Sequence, residues 1–121
     1  MHVHGEKNLY IEKFVNYNVQ ALNWENVPYG VSEEEASSIA EVRSMTDKVI
    51  IGGTDLHQDY HSPNNDRAEI KEKLVKRLQQ SLHEVKDNRF IFAPGCALPL
   101  DVDRDVFTLL REVVDEYGII S

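Results

Sequence analysis

The stretch "KVIIGGTD", residues 48–55, puts Val49, Ile50 and Ile51 in a row without polar alternation and then breaks into two glycines. A strand with a solvated face alternates apolar and polar residues, so an unbroken β-branched run predicts a strand buried on both faces. Such strands belong to parallel sheets covered by helices. "RFIFAPGC", residues 89–96, repeats the pattern: an apolar run that ends in Pro94-Gly95 and meets the chain's single cysteine, Cys96. Between the two runs, Ile70, Leu74, Leu78, Leu82 and Val85 recur at helical spacing and predict one amphipathic helix.

Upstream, the same rhythm is expected twice more. Met1-His2-Val3 reads as a first strand, followed by a helical pattern of Leu9, Ile11, Phe14 and Val15. Val19–Trp24 reads as a second strand. Ser32 with Glu35 three residues on forms a capping box, which predicts a helix carrying Ala36, Ile39, Ala40 and Val42. Downstream, Asp103 caps a last helix with Val106, Phe107, Leu110, Val113, Val114 and Tyr117 on its apolar face. Gly118 is expected to end it in a left-handed conformation. The organisation is therefore α/β, four βα units in one domain over residues 1–121, with no linker or low-complexity stretch. Two architectures carry that order: a small open doubly wound sheet, or half of a (β/α)8 barrel, since a full barrel takes roughly 250 residues.

Composition narrows the function classes. At 41% hydrophobic and 28% charged residues, the chain has the balance of a globular domain with one core. The formal net charge of −8 disfavours nucleic-acid and anionic-membrane partners, which need a basic surface. No apolar stretch approaches the length of a membrane span, and "MHVHGEKN" lacks the pattern of a signal peptide. One cysteine cannot form an internal disulfide, so a reducing, cytoplasmic setting is expected.

In both architectures ligands gather at the carboxyl ends of the strands. The residues expected there are His2, His4 and Gly5; Asn23, Trp24 and Glu25; Gly52, Gly53, Thr54 and Asp55; and Gly95 and Cys96. His2 and His4, two apart on a strand, point to the same face. With the thiolate of Cys96 they make two nitrogens and one sulfur with a fourth position open, the ligand pattern of a catalytic zinc. Against this stands the ordinary expectation that a terminal His-x-His is frayed and solvated. A rival cluster, His57-x-Asp59-x-His61, falls in the polar loop after the third expected strand. Glu25 and Asp55 are the candidate catalytic carboxylates, each of which could instead cap a turn. Trp24, Gly53 and Gly95 are placed to touch a cofactor; the glycines admit close approach of a ligand or a neighbouring strand.

Residues 89–117, "RFIFAPGCALPLDVDRDVFTLLREVVDEY", resemble the C-terminus of the uroporphyrinogen decarboxylase superfamily. There a strand ends in a Pro-Gly-Cys or Gly-His-Gly turn, a proline-containing loop follows, and an amphipathic helix closes a barrel. "VQALNWE", "VIIGGTD" and "HVHG" are similar to that family's other strand ends, the last to the His-x-Cys-Gly of its corrinoid-dependent methyltransferase branch, with His4 in place of the cysteine. The resemblance implies the C-terminal half of a TIM barrel. It also implies zinc on His2, His4 and Cys96, methyl transfer to a thiol, and a corrinoid carried by a partner protein. Self-association into a homodimer or larger assembly, or pairing with a separate N-terminal half, would complete the barrel. The alternatives are a non-catalytic, ligand-binding half-barrel and porphyrinogen decarboxylation in an assembled form.

Overall fold

The computed structural model describes residues 1–64 and 66–118. Three parallel strands, β1 (Ala21–Asn23), β2 (Val49–Thr54) and β3 (Phe90–Pro94), form one sheet in the order β1-β2-β3. The register aligns Leu22 with Ile50 and Ile50 with Phe90; one step on, Asn23, Ile51 and Ile91 form the next cross-strand row. Each strand lies within one or two residues of its expected limits. The expected first strand is present only as an isolated parallel bridge, His2 to Asn23. It is nevertheless tied down: Val3 N donates to Asn23 O (2.9 Å), Asn23 N to Met1 O (2.8 Å), and the amino group of Met1 to Ala21 O (2.8 Å). The sheet thus runs in sequence order from this segment to β3. The chain is mixed α/β, as expected, with three strands and a bridge rather than four full strands.

The helices are α1 (Ile39–Arg43), α2 (Arg67–Val85) and α3 (Asp105–Tyr117). Asp66 caps α2 by accepting from Ala68 N and Glu69 N, and Ile70, Leu74, Leu78 and Val85 are buried along the expected stripe. Asp103 does act at the start of α3, where its carboxylate accepts from Asp105 N. The buried face there is Val106, Leu109 and Val113, while Phe107 and Tyr117 are exposed, so the apolar stripe is rotated toward Leu109. Gly118 is not left-handed (φ −80°). A side chain there would collide with the carbonyl of Val114, to which Gly118 N is bonded.

Two expected helices shrink. Only a 3-10 turn, Ile11–Lys13, forms in the first crossover, because Asn8 and Tyr10 both adopt positive φ (53°) and interrupt any longer helix. In the second, Ser32 opens a single turn, and the true cap is Ser38, whose hydroxyl accepts from Glu41 N. The carbonyls that would continue a helix from Ser32 are engaged elsewhere: Glu35 O accepts from Asn8 N, and Ser37 O from the indole of Trp24. Tertiary hydrogen bonds have displaced the helix start by six residues.

Leu22, Trp24, Ile39, Val42, Ile50 and Val85 form one core cluster with Ile11 and Val15. Tyr60, Ile70, Leu74, Leu78, Phe92, Val106, Leu109 and Val113 form a second, and Phe90 packs against both. All three helices feed these clusters. Asn23, Ile51 and Ile91 join neither, and Ile91 is 53% exposed, so the opposite face of the sheet is open. At the amino end of the sheet, Arg43 donates to the carbonyls of Thr46, Lys48 and Arg89 and pairs with Asp87.

The displaced cap can be checked directly. Ser38→Ala should cost about 0.5–2 kcal/mol in denaturant unfolding, the range for a lost N-cap, while Ser32→Ala should leave the midpoint nearly unchanged. The reverse ranking would restore the helix start expected from the capping box.

Candidate metal centre

Pairing along β1 brings the N-terminal segment to the carboxyl end of the sheet, and the Pro94-Gly95-Cys96 turn brings the thiol to the same place. His2, His4 and Cys96 each offer a ligand atom, and the three atoms lie within 4.8 Å of one another. This is the one such group of three or more among the described residues. The expectation of a frayed terminus fails because the segment is hydrogen-bonded to β1 on both sides of His2. Both histidines are exposed and Cys96 is half-buried, so the open side faces solvent. Their rings stand 6.0 Å apart at 54°, on the same face of the segment as the spacing requires.

The distances suit a tetrahedral metal. With bonds of about 2.3 Å to sulfur and about 2.0–2.1 Å to nitrogen, a tetrahedral angle separates the two ligand atoms by about 3.6 Å. Cys96 Sγ and His4 Nδ1 are 3.6 Å apart. His2 Nδ1 lies 2.6 Å from Asn23 Oδ1, leaving the other ring nitrogen free. A ligating histidine held by an oxygen on its second nitrogen is the common arrangement in metal sites.

Glycine makes the approach feasible. A Cβ on Gly95 would stand 2.6 Å from Glu25 Cα and 2.7 Å from Trp24 O, so the end of β3 packs directly on the chain leaving β1. Glu25 is thereby held beside the cysteine turn. Burial, reinforced by Glu6 and Asp55, pushes its carboxyl above the ordinary range, while His57 and His4 act the other way. Its proton affinity is raised above that of a solvated carboxylate.

The other expected site residues have structural duties. Trp24 is fully buried in the core and its indole donates to Ser37 O, so it packs the fold and does not reach a cofactor. Gly53 (φ 107°) makes room for α2: a Cβ there would meet Ser81 Oγ at 2.6 Å. Gly52 likewise admits the side chain of Asn26, whose Oδ1 accepts from Gly53 N. Asp55 is buried, and its carboxylate accepts from His57 N and Gln58 N, which fixes the turn after β2. Asn23 was legible only as a strand-end polar residue, and its link to His2 follows from pairing that the sequence does not specify.

The rival loop cluster does not assemble. His57 is exposed, His61 sits 3.4 Å from Asp101, and Asp59 is turned inward to Arg77. Asp59 Oδ2 accepts from Asp55 N (2.7 Å) and Arg77 Nε (2.8 Å). Burial still outweighs these bonds and raises its pKa. A carboxyl whose folded pKa is raised stabilises the fold below its unfolded value, near 4, and that contribution is lost as pH rises through the folded value. Arg77→Leu should raise the Asp59 pKa further and cost about 1–3 kcal/mol at neutral pH, with the penalty shrinking toward pH 4 as Asp59 protonates. Urea titrations of both proteins across that range check it; a pH-independent penalty would mean that Arg77 acts only by packing.

Compared with known proteins, the chain matches no family model and no curated relative.

Proposed function

We propose that the chain is one half of a uroporphyrinogen decarboxylase-like barrel in which zinc on His2, His4 and Cys96 readies a thiol to accept a methyl group from a corrinoid partner. The observation that supports this most is the convergence of two imidazoles and one thiol, from opposite ends of the sequence, at the carboxyl ends of parallel strands. Three protein ligands leave a fourth position for a substrate, which separates a catalytic zinc from a structural one. When bound, zinc supplies an electrophilic centre that lowers the pKa of a coordinated thiol. The protein's own groups do the rest. His2, His4 and Cys96 hold the centre, Glu25 takes the proton released by the incoming thiol, and Asp55 keeps the adjoining turn in place.

Zinc content of wild type against Cys96→Ser and His4→Ala tests the ligand set. Wild type should carry stoichiometric zinc, and each variant should lose most of it while keeping its circular dichroism spectrum. Methyl transfer from a methylated corrinoid protein to a thiol should fall in parallel. Equal, near-zero metal in all three would make Cys96 an ordinary small residue at a turn.

The open row of Asn23, Ile51 and Ile91 and the free edge of β3 favour closure by a second half-barrel. A second copy related by a two-fold along the strands would set its His2 segment beside β3, keep every strand parallel and bury both edges. Light scattering should therefore report a dimer at micromolar concentration, and Ile91→Lys should shift it toward monomer. A compact wild-type monomer that retains full zinc would overturn the closure.

A further inference from the structure

On the metal reading above, which nitrogen of His2 faces the metal depends on what its other nitrogen is bonded to. Asn23 stands in β1, opposite Ile51 and bridged to His2. Its Nδ2 lies 2.9 Å from Ile51 O and 3.3 Å from Pro94 O, the one on β2 and the other at the end of β3. Both neighbours are backbone carbonyls, which only accept. The amide therefore cannot be turned over: its NH2 must face them, and Oδ1 must face His2. An amide oxygen only accepts as well, so the His2 Nδ1 placed 2.6 Å from it must carry the hydrogen. In the neutral imidazole that leaves the lone pair on Nε2.

We propose that Asn23 is the positioning residue of the metal centre: two strand carbonyls fix its amide, and its amide fixes His2 as an Nε2 ligand. The restraint comes from β2 and β3, the strands whose loops bring Asp55 and Cys96, so the orientation of a histidine at one edge of the sheet is set by the other two strands. Among the described residues nothing restrains His4 in this way. Its Nδ1 faces Cys96 Sγ, so the two imidazoles ligate through different nitrogens.

Long-range 1H–15N correlation spectra of the metal-free protein, at a pH above the imidazole range, read the tautomer without any metal. Wild-type His2 should be protonated on Nδ1; Asn23→Leu should shift it to Nε2; Asn23→Asp, which keeps the acceptor oxygen, should restore Nδ1. Co(II) titration of the same proteins reads the consequence. Affinity should fall about 10–100-fold in Asn23→Leu, the usual cost of losing the group that orients a ligating histidine, and recover in Asn23→Asp. A merely structural Asn23 would weaken both variants alike, since both lose the bonds to Ile51 and Pro94, and that result would overturn the proposal. So would a wild-type His2 protonated on Nε2. Should Asn23→Leu fail to fold, the wild-type tautomer and Asn23→Asp still decide. Wild type that binds no Co(II) while showing the Nδ1 tautomer would instead overturn the metal reading, and the two failures are thereby distinguished.

Discussion

A strand cannot pair in parallel with the strand that follows it unless the chain first climbs back over the sheet, and that constraint governs this molecule. Each return from the carboxyl end of one strand to the amino end of the next passes over the same face. That face consequently holds both core clusters and all three helices. Among the described residues no helix covers the opposite face, and Ile91 there is exposed. The chain departs from every strand at the same end, so Glu25, Asp55 and Cys96 gather there whatever else the connections do.

How closely those departures approach is set by the glycines. Gly52 accommodates Asn26, and Gly95 accommodates the backbone at Trp24 and Glu25. Without the second contact the cysteine turn would stand away from β1, and the thiol would not meet the histidines. The convergence of His2, His4 and Cys96 thus depends on a backbone-to-backbone contact as much as on the three side chains.

The features legible in the sequence were those fixed by local pattern. Val49–Ile51 and Phe90–Phe92 announced strands, but the cover expected on both faces is present on one only: Ile50 and Phe92 are buried while Ile91 is exposed. The stripe from Ile70 to Val85 announced α2, and the spacing of His2 and His4 put them on one side. The features that escaped depend on partners far along the chain. Ser32 and Glu35 make a sound capping box, but Asn8 and Trp24 compete for the carbonyls its helix would use. Gly118 carries the residue type of a left-handed cap and adopts another conformation, with its N–H bonded to Val114 O. Trp24, placed by its sequence neighbours among the ligand-facing residues, turns inward because a strand alternates sides: Asn23 takes the open face and Trp24 the core. The parity of β1 could not be read from "ALNW", in which apolar residues fall on both sides.

Arg43 lies at the far end from this chemistry. Its guanidinium joins the end of α1 to the approaches of β2 and β3 through three carbonyls and Asp87. That end is not the only fastening: at the carboxyl ends of the strands Asn23 Nδ2 donates to Ile51 O and Pro94 O, and Asn26 Oδ1 accepts from Gly53 N. The sheet is therefore pinned at both ends. Asn26, Asp59 and Tyr60 are buried within the carboxyl-end loops, so tolerance to exchange is confined to exposed positions such as Tyr29, Gly30, Pro63 and Asn64.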